Sequence, residues 1–138
     1  MLTIEKVMLL KSASVFSGVP EEMLVALAET AREREFAPGA PIFAEGEEGT
    51  CLYVIALGAV RIHKGDHLLA RLGARQVFGE LAALDPEPRS ASATADDAGA
   101  LLFEIGNEAL YELLADHAEV ARDIIAVLCR RLRDAGKR

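Results

Sequence analysis

The sequence has no tryptophan and only five phenylalanines and two tyrosines among 138 residues, so its core must be aliphatic, built from Leu, Val, Ile and Ala. Cysteine is equally scarce. Cys51 falls in a predicted strand and Cys129 in a predicted helix, which excludes a disulfide framework and leaves two buried or half-buried thiols. No apolar run approaches the ~20 residues that cross a bilayer. The amino-terminal Met-Leu-Thr-Ile-Glu-Lys lacks the basic segment and apolar stretch of a secretory signal. A cytoplasmic protein is expected. Positive charge is in deficit, 15 Lys and Arg against 22 Asp and Glu, for a net charge of −7. That balance argues against sequence-independent nucleic-acid binding, which needs clustered cations to displace counterions, and against an anionic membrane surface. A lone cation in a pocket remains compatible with a small anionic ligand.

Catalytic signatures are missing too. There is no glycine-flanked serine elbow and no Gly-rich loop ending in Lys-Ser/Thr. His63 and His67 do not have the His-x-His spacing that double-sheet barrels use to hold a metal. An enzyme and a metal centre are therefore not expected. With 51% hydrophobic residues, the chain suffices for one domain with one core.

The pattern along the chain has three parts. Residues 1–33 read as an amino-terminal helical segment. Thr3 to Ala13 forms a short helix, and Pro20 is placed at the first helical position of a second, with Glu21 and Glu22 at its positive end. Residues 34–105 show short alternating runs broken by glycine turns. Strands are predicted at Pro41 to Ala44, Cys51 to Leu57, Val60 to Lys64 and Leu68 to Leu72, with another just before Gly79. Ser90 to Ala95 and Ala100 to Ile105 read as a hairpin around Asp96, Asp97 and Gly99. The total is about eight short strands, the count of a double-sheet jelly roll. Residues 106–138 read as two helices: Asn107 caps the first, and Gly136 closes the second, whose stripe is Val120, Ile124, Val127, Leu128, Leu132 and Ala135. The fold expected is mainly β, an eight-stranded double-sheet jelly-roll barrel with flanking amino-terminal helices and two carboxy-terminal helices.

The densest chemistry lies between Phe78 and Ala91, Phe-Gly-Glu-Leu-Ala-Ala-Leu-Asp-Pro-Glu-Pro-Arg-Ser-Ala. Gly79 lets a backbone approach a ligand. The first turn of a helix after it offers unpaired N–H groups and a positive dipole end to an anion. Pro86 and Pro88 stop that helix. Arg89 can grip a phosphate with two parallel charged hydrogen bonds, and Glu80 is an acceptor suited to a sugar hydroxyl.

This segment resembles the phosphate-binding cassette of cyclic nucleotide-binding domains, in which a Phe-Gly-Glu-Leu-Ala run is followed, nine residues after the Glu, by Arg and a small residue. Glu80 and Arg89 have that spacing. The glycine turns Pro38-Gly39, Glu45-Gly46 and Gly49, then Leu52-Tyr53-Val54-Ile55 and Gly58-Ala59-Val60, also follow the family's order. The resemblance implies a sensor domain like that of bacterial cAMP-receptor regulators, with Glu80 on the ribose 2′-hydroxyl, Arg89 on the exocyclic phosphate and the backbone near Leu81 and Ala82 assisting. Phe78, Gly79, Ser90 and Ala91 complete the site. In some members a threonine after the arginine accompanies cGMP, whereas bacterial members with serine bind cAMP; Ser90 does not settle the base, and cAMP is preferred to cGMP as the expected ligand. Regulators of this family that bind DNA carry a helix-turn-helix after the long helix, and these 138 residues contain none.

Other readings compete. Arg89 could form a surface salt bridge with Glu80 or Glu87, Glu80 could simply complement a helix dipole, and Glu47 and Glu48 read as a solvated turn. The basic run Arg130, Arg131, Arg133, Lys137 and Arg138 reads as a solvated helix end rather than a nucleic-acid contact. No aromatic follows Glu119 to stack on a purine, leaving Leu128, Arg131 or Leu132 as lid candidates. The functional alternative is an interaction module that keeps the fold without the ligand and dimerises through its carboxy-terminal helix. The effector, attached or separate, is not named by the sequence.

Overall fold

In the computed structural model, which describes residues 2–79 and 83–136, helices α1 (Thr3–Ser12) and α2 (Glu21–Thr30) flank a short 3-10 turn (Ser14–Phe16). The described strands follow: β1 (Arg32–Phe36), β2 (Pro41–Phe43), β3 (Cys51–Lys64), β4 (His67–Leu72), β5 (Val77–Phe78) and β6 (Ser92–Gly106). Helices α3 (Asn107–Asp116) and α4 (Ala118–Gly136) complete a mixed α/β fold. The sheet is antiparallel, ordered β1-β6-β3-β4, with β2 paired to β6 and β5 paired to β3.

The described strands number six rather than about eight, and the expected hairpin is not formed. The segments expected at Cys51 to Leu57 and Val60 to Lys64 are one strand, β3, and those on either side of Gly99 are one strand, β6. The two long strands pair from Cys51↔Gly106 to His63↔Ser92. The reason lies in two glycines facing each other. Gly58 and Gly99 both have positive φ, +82° and +76°, and a Cβ on Gly58 would lie 2.1 Å from the Gly99 carbonyl oxygen. The register shifts on both sides of this point. Opposed glycines let both strands bulge and bend together without reversing, so a glycine that reads as a turn is here a bend.

Helix ends also differ by a residue. Pro20 is the cap of α2, not its first helical residue, and its carbonyl accepts from the Met23 and Leu24 amides at 3.1 and 3.2 Å. Gly106 rather than Asn107 caps α3, without a side-chain bond. Gly136 is still helical.

The period-2 alternation of the long strands divides their side chains between two apolar clusters. Leu52, Val54, Phe103 and Ile105 face a cluster with Leu10, Phe16, Leu24, Leu110, Val120 and Ile124 from the helices. Tyr53, Ile55, Ala100 and Leu102 face the other, with Val60, Phe78, Ala93 and Ala95. The first cluster seats the helices. The second is the strand-lined interior beside which the site opens. On the rim, Arg71 of β4 pairs with buried Asp96 of β6. The Asp96 carboxyl is held below its usual range, chiefly by the Asp97 amide and then by Arg71.

Candidate functional site

Arg89 is fixed first by its main chain. Its amide donates to the Glu47 carbonyl and its carbonyl accepts from the Gly46 amide, both at 2.8 Å. Glu47 Oε2 in turn accepts from the Ala44 amide at 2.9 Å, so the turn after β2 braces itself. The Glu45–Gly49 turn is thus a clamp on the segment that presents Arg89.

The side chain then runs inward and is only 7% exposed. Nη2 donates to the Cys51 carbonyl at 2.9 Å and Nη1 to the Gly79 carbonyl at 3.3 Å. Cζ lies 4.1 Å from the centroid of the Phe43 ring and 5.9 Å from that of Tyr53. Nε is buried and has no hydrogen-bond partner among the described residues. Two glycines make the room. A Cβ on Gly49 would stand 2.2 Å from Nε, and one on Gly79, whose φ is +78°, would stand 2.7 Å from Nη1. Glu87 is not what holds this guanidinium; carbonyls and ring faces are.

Phe43, Tyr53 and Phe78 form one aromatic group, with centroid separations of 6.1, 5.9 and 5.1 Å. The Tyr53 phenol is pushed up to about 12, first by burial, then by the neighbouring Glu104 carboxylate and Cys51, with the Arg89 charge acting in the opposite direction. Glu104, opposite Tyr53 on β6, is itself paired with Arg34 at 2.7 Å.

A cavity of about 740 Å³ opens in front of Arg89, within the ~300–1,000 Å³ typical of small-molecule sites. Phe43, Ile62, Leu72 and Phe78 give it apolar lining, and Asp85, Glu87, Arg89 and Ser90 polar lining, with Arg89 the buried member. A largely apolar chamber with a buried guanidinium in its wall can take a ligand that has a flat apolar body and an anionic group.

The cyclic nucleotide-binding domain family profile matches residues 33–117. The chain belongs to the cyclic nucleotide-binding domain family. It is 36% identical over 131 residues to the CRP-like cAMP-activated global transcriptional regulator of Mycobacterium tuberculosis, covering 91% of this chain and 58% of that protein. It is 39% identical over 132 residues to the cyclic AMP receptor protein of Thermus thermophilus, covering 91% of this chain and 60% of that protein. It thus spans about three-fifths of the length of both relatives. Among solved structures it resembles the N-terminal domain of a transcriptional regulator from Streptomyces coelicolor, with TM-score 0.80, 30% identity, and coverage of 94% of this chain and 92% of that one. These homologous domains are regulatory and non-catalytic.

Of the residues singled out in this cyclic nucleotide-binding domain from its sequence, Phe78, Gly79, Arg89, Ser90 and Ala91 line the one cavity. Glu80, Leu81 and Ala82 lie outside the described residues. Among the lid candidates, Leu128 lines the cavity, whereas Leu132 is 75% exposed and does not. Phe43, Gly49 and the Cys51 carbonyl escaped the sequence reading as contacts of Arg89. Both ring nitrogens of His63 are engaged: Nδ1 lies 2.8 Å from the Gly65 carbonyl, and Nε2 lies 2.7 Å from Thr94 Oγ1. A carbonyl only accepts, so Nδ1 is the donor in the first contact. A second cavity of about 420 Å³ lies between α2 and α3, but its rim holds Glu22, Glu112 and Asp116, the wrong sign for an anion. Among the described residues no helix is long and apolar enough to cross a membrane.

Proposed function

We propose that this domain is a sensor for a 3′,5′-cyclic nucleotide, cAMP in preference to cGMP, held in the cavity in front of Arg89. The observation that carries the reading is the buried guanidinium itself. A guanidinium has five N–H donors. Two carbonyls engage Nη1 and Nη2, while Nε is buried without a partner among the described residues. Leaving such a donor unsatisfied costs about 1–3 kcal/mol, and a phosphate oxygen would satisfy it with a charge-assisted bond. The cavity behind it is apolar enough for a purine and ribose. Two relatives at 36% and 39% identity that carry cAMP in their names support the choice of base.

In this reading Glu80 accepts from the ribose 2′-hydroxyl, and the amides near Leu81 and Ala82 join Arg89 on the phosphate. Occupancy then biases the carboxy-terminal helices by population shift. Leu84, in the middle of the cassette, lines the cavity with Leu128 of α4, and its carbonyl accepts from the Tyr111 hydroxyl of α3 at 3.0 Å. Ile125 and Leu132, exposed at 59% and 75% and seven residues apart on α4, support a homodimer through that helix. The effector that reads the helices is an attached domain or a separate partner.

Titration calorimetry of the purified chain against cAMP, cGMP and 5′-AMP tests the proposal. Saturable one-site binding of cAMP, tighter than or equal to that of cGMP and far tighter than that of 5′-AMP, is expected. No heat with either cyclic nucleotide at millimolar concentration would leave only the ligand-free interaction module.

A further inference from the structure

We infer that Phe43 is a positioning residue for the anion site, the aromatic platform that fixes the plane of the Arg89 guanidinium before a phosphate arrives. The inference rests on the reading of the cavity as a nucleotide site. A guanidinium has an edge and a face, and the two do different work. The edge carries the N–H donors, all in one plane. The face attracts the negative π-surface of an aromatic ring. In this domain the Cys51 and Gly79 carbonyls engage the edge through Nη2 and Nη1, and Cζ lies over the Phe43 ring, 4.1 Å from its centroid, a separation that suits a ring stacked on the guanidinium face. Two in-plane bonds alone leave the plane free to tilt about the line between them. A ring against the face removes that freedom. Because ring and anion use perpendicular directions, an incoming phosphate can take the Nε–H, which has no partner among the described residues, without displacing Phe43.

The platform is itself held. Phe43 ends β2, where it pairs with Ala93 of β6, and its ring packs against Tyr53 and Phe78 at 6.1 and 5.9 Å. Tyr53, at 5.9 Å from Cζ, is at the outer limit for a cation–π contact, so Phe43 is the principal ring. An arginine already immobilised loses less freedom when its ligand binds. An aliphatic residue of similar bulk would still wall the cavity, where Phe43 also lies, but would offer no π-face.

The test separates platform from wall. In the full chain carrying ¹⁵N-labelled arginine, the Arg89 side-chain resonance is assigned by its loss in Arg89→Lys. The ring current of Phe43 should displace it upfield from the other arginines without any ligand, and Phe43→Leu should return it to the common range. In calorimetry with cAMP, Phe43→Leu should bind about 3- to 30-fold more weakly, while Phe43→Tyr, which keeps the ring, should stay within about 2-fold of the parent. An undisplaced Arg89 resonance in the parent would overturn the inference, as would tyrosine and leucine variants that bind alike. If the parent binds no cyclic nucleotide, the function proposed above fails, and the resonance still decides whether Phe43 positions Arg89. If the leucine variant does not fold, the parent resonance and the tyrosine variant suffice.

Discussion

Arg89→Met should separate binding from folding. In the ligand-free protein it removes two charge-assisted hydrogen bonds, to the Cys51 and Gly79 carbonyls, each contributing about 1.5–3 kcal/mol. It also removes a cation–π contact of about 0.5–2 kcal/mol. Against this it lifts a desolvation penalty of several kcal/mol from a charge that is only 7% exposed. The methionine stem fills most of the volume, and its sulfur can contact Phe43 for about 0.3–1.5 kcal/mol. The opposing sums are similar, so the net change should stay within about 2 kcal/mol. The ligand-linked term behaves differently. At 100 times its Kd a ligand adds about 2.7 kcal/mol to the parent, which for a chain of this length is roughly 8–13 °C in Tm. Truncating one partner of a buried charge pair costs about 2–5 kcal/mol of affinity, at least about 30-fold. The same cAMP concentration should then raise the variant by about 4 °C or less. Paired thermal melts with and without cAMP, followed by circular dichroism, give both numbers. A variant that keeps the full ligand shift would place the phosphate away from Arg89. A variant that no longer unfolds cooperatively would make Arg89 a structural residue, contrary to the balance above.

Glu80→Gln keeps size but loses charge. It should weaken cAMP about tenfold, because charged hydrogen bonds are worth roughly twice neutral ones, and should scarcely change binding of 2′-deoxy-cAMP; equal losses for both ligands would show that Glu80 only shapes the cassette. Tyr53 should make the fold alkali-sensitive. Its folded pKa of about 12 lies above the unfolded value of about 10, so the folded state holds the proton more tightly. The stability this contributes is complete below pH ~10 and is lost as pH rises from ~10 toward ~12. In a Tyr111→Phe background, phenolate absorbance reports Tyr53 alone, and ionisation of the folded protein near pH 10 would contradict the burial that raises it.

What the sequence made legible follows from where the information sits. Gly79, Arg89, Ser90 and their neighbours lie within one short segment, so their chemistry can be read as a string. The partners of Arg89 cannot. The Cys51 and Gly79 carbonyls are backbone atoms with no side-chain signature, and Phe43 reaches the guanidinium only because β2 pairs with β6. The acids of the Glu45–Gly49 turn look solvated because their side chains are polar, yet the turn contributes main-chain groups to Arg89. The missed continuity of β6 has a similar origin. Asp96, Asp97 and Gly99 have the composition of a hairpin turn, and only the glycine opposite on β3 decides that they form a bend. The division into helices, strands and helices was legible because its periodicities are local.

On the proposed reading, the same geometry lets a domain with a net charge of −7 favour an anion. The long-range field repels, but of the charged residues lining the cavity only Arg89 is buried, in a setting where a charge is screened far less than at the surface. Any anion held there meets a fixed guanidinium and an aromatic wall, while Leu84 and Leu128 on the same cavity also pack against the helical cluster. Leu128 lies one helical turn beyond Ile124, which is 3% exposed in that cluster. Helix α4 is therefore anchored at one point and in contact with the cavity at the next. A ligand can shift such a helix only by as much as its affinities for the two arrangements differ. The contacts that would supply that difference are those of Leu84, Tyr111 and Leu128, not those of Arg89, whose carbonyl partners belong to β3 and to the end of β5. On the proposed reading, phosphate capture and signal output fall on different residues, and changes at Leu84 or Leu128 should alter the response to a ligand more than its capture.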